Sequence, residues 1–200
     1  MAGNFKLLNI IFLLFFFINC SNPIKDETIA KEIIDENVDR FISNLYGLPL
    51  EYHKNGTFPI FLLKNAGQTD FFKEHCESVI GMGELNSVEN CRKDYYKLIN
   101  KEGFNINENT KYLSFDLTSF SKKSFKKVQF LQNESIIKSN AYVQFKFSNI
   151  YIDHTIKKAF IVLDETDFSK GRYGGKTDIY FFVKRKDKWT FYKKLMLITS

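Results

Sequence analysis

The chain has 200 residues, 44% of them hydrophobic, with 22 Phe and 10 Tyr against 10 Gly and 3 Pro. That composition excludes a disordered or collagen-like chain and suffices for one domain with its own core. The formal charge of +6 is unevenly spread: residues 20–110 hold 10 Lys/Arg and 15 Asp/Glu, whereas residues 111–200 hold 18 and 8.

Lys6 is the only charged residue before Cys20, and residues 7–18 are apolar except for Asn9. That run is shorter than the roughly 17–25 residues of a membrane-spanning helix. A short basic start followed by a brief apolar run is the pattern of a secretory signal. The residues Phe17-Ile18-Asn19-Cys20, followed by Ser21, resemble the lipobox of bacterial lipoproteins. Asn19 stands where Gly or Ala is usual, as in the relaxed lipoboxes of Bacteroidota and spirochaetes.

This resemblance implies that residues 1–19 are a lipoprotein signal peptide and that Cys20 is acylated as the mature N-terminus. The expected address is the cell envelope, at the outer membrane, on its periplasmic or surface face. Cysteine arithmetic agrees, because three cysteines leave an odd one in an exported chain. With Cys20 carrying lipid, Cys76 and Cys91 remain as a candidate pair in a compartment that permits disulfides.

Residues 20–25 read as a tether and 26–200 as a single α+β domain, helical over 26–103 and β over 111–200. From Asp26, apolar residues Ile29, Ile33, Ile34, Val38, Phe41, Ile42 and Leu45 recur at helical spacing. Asp26 is the expected cap, and Gly47 with Pro49 the expected stop. Residues 48–67 are ambiguous: Asn55-Gly56 signals a turn, and 58–64 fit either a strand or a helix opening at Pro59.

Two helices are expected over 69–80 and 86–104, separated at Gly81-Met82-Gly83, with Asn86 and Glu89 as a capping box for the second. Cys76 and Cys91 both fall on inward faces, so a bond across this hairpin is plausible and two buried thiols are the alternative. Closing the loop would contribute about 3 kcal/mol in the chain-entropy model. His75 adjoins Cys76, yet nothing supplies further ligands at zinc spacing, so no metal and no cofactor is expected.

Beyond Gly103 the pattern changes to alternation. Strands are expected at 111–117, 126–132, 141–152, 157–165, 176–185 and 188–198. Val143, Phe145 and Phe147 alternate with Gln144 and Lys146, which reads as a sheet with one wet face. Short connections at Asp153-His154-Thr155 and at 185–188 suit hairpins. The expected fold is α+β, with N-terminal helices packed on a C-terminal antiparallel meander of about five or six strands.

Residues 164–178 read as the longest hairpin loop, rich in Gly and acids. "GRYGGKT" falls one residue short of a phosphate loop, and the strand that follows is the wrong context. The acids lack calcium-loop spacing. Either a glycine-rich turn or a recognition loop fits, and in the second case Arg172 and Tyr173 are the contact residues. Trp189 is expected in the core.

No nucleophile elbow, zinc-protease helix or reactive-cysteine signature occurs, and the three histidines, His53, His75 and His154, are dispersed. Residues 145–194 are similar to the C-terminal meanders of small Flavobacteria-type lipoproteins, which implies a lineage and an envelope address. The expected role is a lipid-anchored binding module with an envelope protein or extracellular ligand as partner. An envelope hydrolase using dispersed carboxylates, or an immunity or inhibitor lipoprotein, is the alternative. The excess lysines are read as filling solvent faces and guarding strand edges, with anionic partners such as lipid headgroups as the other reading. Export argues against nucleic acid.

Overall fold

A computed structural model describes residues 23–45, 59–81, 87–117, 128–132 and 139–199. The expected α+β layout is present: among the described residues, three helices flank a six-stranded, mostly antiparallel sheet. Helix α1 spans Pro23–Ser43. Asp26 is therefore in its first turn instead of capping it, and proline near a helix start loses no bond that the helix needs. The expected stop at Gly47 and Pro49 lies outside the described residues, as do Cys20, His53 and the Asn55-Gly56 turn.

Strand β1 (Ile60–Leu63) settles the ambiguity at 58–64 in favour of a strand. The short β2 (Asn65–Ala66) pairs with β3 (Phe115–Asp116) in a separate ribbon. The strand expected over 111–117 thus shrinks to two residues. Upstream of it, Leu113 N–H donates to Ile150 O, and the Tyr112 ring packs near Phe72 and Phe160. Strand β4 is Gln129–Leu131, followed by the long meander β5 (Ala141–Asp153), β6 (Lys158–Ser169), β7 (Arg172–Arg185) and β8 (Lys188–Thr199). The order across the main sheet is β4-β1-β5-β6-β7-β8, with β1 parallel to both its neighbours.

Two expectations are overturned here. The sheet has no wholly wet face, because α1 covers one side while α2 (Phe71–Gly81) and α3 (Val88–Asn100) pack on the other. Burial on both faces explains the continuous apolar runs Phe160–Leu163 and Ile179–Phe182, which alternation alone does not predict. The second correction concerns 164–178. This segment is strand almost throughout, and β6 and β7 are joined by Lys170-Gly171 alone. Both residues have positive φ, 52° and 78°, the primed-turn geometry that matches strand twist.

On the α1 side, Phe41 sits edge-on to Tyr180 and Phe147, with centroids 4.8 and 5.1 Å apart. Trp189 is 7% exposed and belongs to this core, as expected. On the other side Phe72, Tyr96 and Ile99 meet Phe160, Val162, Ile179 and Phe181. A β-bulge between Phe147 and Ile150 turns Asn149 into that layer. Its side chain accepts from Phe71 N–H (2.9 Å) and donates to Asp70 Oδ1 (2.8 Å), which fastens the start of α2 to the sheet.

Ser87 is the cap of α3 and accepts from Asn90 N–H, so the cap falls one residue later than the capping box predicted. Cys76 and Cys91 form the disulfide across α2 and α3, with Cα atoms 5.8 Å apart.

Candidate functional site

At the turn end of β6 and β7 the alternating pattern places large aromatic residues in register. Tyr142 on β5, Phe168 on β6 and Tyr173 on β7 are direct cross-strand partners. Ring centroids are 5.5 Å apart between Tyr142 and Phe168, and 4.8 Å between Phe168 and Tyr173. Phe61 on β1 is registered with Gln144, one row inward, and its ring is edge-on to Tyr142 at 6.0 Å. Four rings therefore cross four adjacent strands, a width of about 14 Å at the usual strand spacing.

Exposure rises from Tyr142 toward the β7 edge of the row. Tyr142 is 8% exposed, Phe61 and Phe168 are half-buried, and Tyr173 is 72% exposed. Burial, followed by hydrogen bonding to Tyr173 and its charge, holds the Tyr142 phenol above its ordinary pKa. The buried Tyr142 fixes the ladder, and Tyr173 at its exposed end presents a flat aromatic face with a hydroxyl tip.

The next row inward on this face is polar and small: Gln144, Thr166 and Gly175 lie in register. Thr166 is exposed and Gln144 half-buried, so an amide and a hydroxyl flank the rings. Gly175 is required by close approach, because a Cβ there would stand 2.1 Å from Glu165 O. The third row ties its charges internally. Asp164 Oδ1 accepts from Thr177 Oγ1 at 2.9 Å, and Asp164 lies 3.7 Å from Lys146 Nζ.

The two residues expected to make contacts are separated by the sheet itself. Adjacent strand residues face opposite ways, so Tyr173 joins the ladder while the exposed Arg172 faces the α1 side. Phe61, Tyr142 and Phe168 were not anticipated. The signal for Phe168 was present: pairing outward from a two-residue turn at Lys170-Gly171 sets it opposite Tyr173.

On the α1 side Asp178 is fully buried between Lys176 Nζ at 2.9 Å and Lys194 Nζ at 3.3 Å. Lys176 also donates to Asn44 O at 2.5 Å, a cation placed just beyond the C-terminus of α1, where the helix dipole favours one. Burial, then the negative charges of Asp178 and Glu165, push the Tyr180 phenol far above its ordinary pKa. This row joins helix to sheet and offers no exposed acid or base.

A surface groove of 660 Å³ runs along α3, lined by His75, Asp94, Tyr95 and Lys101 among others. Its one carboxylate, Asp94, pairs with Lys97 at 2.9 Å. Among the described residues no group of three potential metal ligands occurs, and no helix is long and apolar enough to cross a membrane. No family model, curated protein or solved structure matches the chain.

Proposed function

We propose that the protein is a lipid-anchored binding module of the cell envelope, held through Cys20 and making contact through the Phe61–Tyr142–Phe168–Tyr173 ladder. The observation that carries the reading is Tyr173, 72% exposed at the end of a ring stack that is anchored inside by the buried Tyr142. A large amphipathic ring held on paired strands loses little freedom on binding, which is why such residues carry so much of the energy at contact surfaces. The flanking Gln144 and Thr166 suit a ligand with one apolar face and a polar rim, on an envelope protein or an extracellular molecule.

The envelope-hydrolase reading draws less support. Asp164 beside the ladder is engaged by Lys146 and Thr177, and Asp178 on the α1 side by Lys176 and Lys194. Two carboxyl groups facing each other across an open cleft are what that chemistry needs.

The test is affinity purification of the tagged protein from its native envelope in mild detergent, beside Tyr173→Ala and Cys20→Ala variants, with intact mass on each. The expected result is one stoichiometric partner that is lost with Tyr173→Ala. A diacylglycerol-sized mass should be absent only from Cys20→Ala. A partner retained by Tyr173→Ala would remove the ladder from the reading, and equal masses would remove the anchor.

A further inference from the structure

The end of the sheet opposite the ladder is basic. The β5–β6 turn at 154–157 and the β7–β8 turn at 186–187 lie side by side there, joined by a hydrogen bond from Lys184 N–H to Lys157 O (2.8 Å). The same end receives the start of α1, because His154 Nε2 on the β5–β6 turn is 2.6 Å from Asp26 Oδ1. Three separate segments thus converge on one surface. They bring Lys25, Lys157, Lys184, Arg185, Lys186 and Lys188 together, and all but the half-buried Lys184 are exposed.

None of these six forms an ion pair among the described residues, and the nearby acids are largely occupied. Asp26 is buried against His154, Glu27 pairs with Lys31 at 2.6 Å, and Asp153 Oδ1 accepts from Thr155 and Ile156 N–H. Asp187 is the exposed acid on the two turns. Lys186 lies in the two-residue β7–β8 turn and Lys157 closes the β5–β6 turn, each with positive φ of 54° and an exposed side chain.

We infer that this end is a docking surface for anionic lipid headgroups. The chain enters α1 here from the segment that carries Cys20, so surface and anchor would address the same bilayer. A cluster of this size next to a membrane attachment is the arrangement by which lysines add to lipid-mediated binding. Soluble polyanions carry the same charge, but they give no reason for the basic cluster to gather where the tethered end of the domain begins. Strand β7 runs from this end to the ladder, about 45 Å for its 14 residues. Docking would therefore point Tyr173 away from the membrane. The inference rests on the envelope address proposed above, and not on what the ladder binds.

The experiment is flotation of the full chain with vesicles of phosphatidylcholine, with and without phosphatidylglycerol, over a salt series. It compares the parent with a Lys157→Gln/Lys184→Gln/Lys186→Gln/Lys188→Gln variant and with its four-Arg counterpart. Binding to phosphatidylcholine alone sets the baseline from residues 7–18 and any acyl chain. The expected result is a further gain on anionic vesicles that falls with salt, drops about tenfold in the Gln variant and persists in the Arg variant. Equal gains for parent and Gln variant would overturn the inference. So would a Gln defect seen only with soluble dextran sulfate, which would assign the surface to a polyanion. If intact mass shows no lipid on Cys20 while the salt-sensitive gain remains, the anchor reading fails and this one stands.

Discussion

His154 Nε2 and Asp26 Oδ1 meet at 2.6 Å, across 128 residues of sequence. The pair is asymmetric, because the Asp26 side chain is 9% exposed and the imidazole 45%. Losing the histidine leaves a buried carboxylate without its partner, whereas losing both removes the problem. His154→Ala should destabilise by about 2 kcal/mol, and His154→Ala/Asp26→Leu by less. Urea unfolding of the two variants and of Asp26→Leu completes the cycle. A double variant weaker than His154→Ala would contradict this account.

Asp178 is the charge on which the α1 side depends. Asp178→Ala leaves Lys176, itself 8% exposed, without its carboxylate, and should cost about 3–5 kcal/mol. Lys194→Met removes the outer, more exposed partner and should cost less than about 1 kcal/mol. Reversal of that order in chemical denaturation would show that Lys194 is the principal partner.

Gly175→Ala introduces a methyl group where the backbone of Glu165 already lies. Overpacking of this kind typically costs about 1–3 kcal/mol. The strain falls between β6 and β7, two residues from Tyr173. The variant should therefore weaken ladder-dependent partner capture more than a Gly81→Ala variant, whose Cβ meets nothing within 4 Å. Equal capture by both would sever the ladder from the strand pairing beneath it.

Tyr192 supplies the pH dependence. Burial, then the charge of Glu102 and a hydrogen bond to it, push its phenol from 10.0 up to about 12. The folded state thus holds a proton that the unfolded state gives up earlier. Stability from this group is complete below the unfolded value of 10.0 and is lost as pH rises through about 12. Glu102→Gln should lower the folded value and shrink that loss. Ultraviolet titration of tyrosinate, with unfolding followed alongside, distinguishes it from the more deeply buried Tyr180.

The legible parts of this fold were those with a local signature. The apolar stripe of α1, the α2–α3 hairpin with inward cysteines, and the alternating β5 could all be read from side-chain period. The loop at 164–178 was misread because glycines and acids are usual loop composition. Here Gly174 and Gly175 sit in a strand, the latter because of close backbone approach at Glu165. The second covered face was missed because alternation in β5 outweighed the continuous apolar runs of β6 and β7. The ladder needed register, which a sequence supplies only after the turn has been placed. The parallel pairing of β1 with β5 had no local signal at all, since 60 and 143 meet only through the tertiary fold.

The Cys76–Cys91 bond has a consequence for survival among proteases. Any single cut between those two residues leaves the halves covalently joined, with α2 and α3 still tied to each other. A nicked molecule would run as an intact chain on a non-reducing gel and separate into two pieces only after reduction. Damage in that stretch would thus be silent for as long as the surroundings stay oxidising.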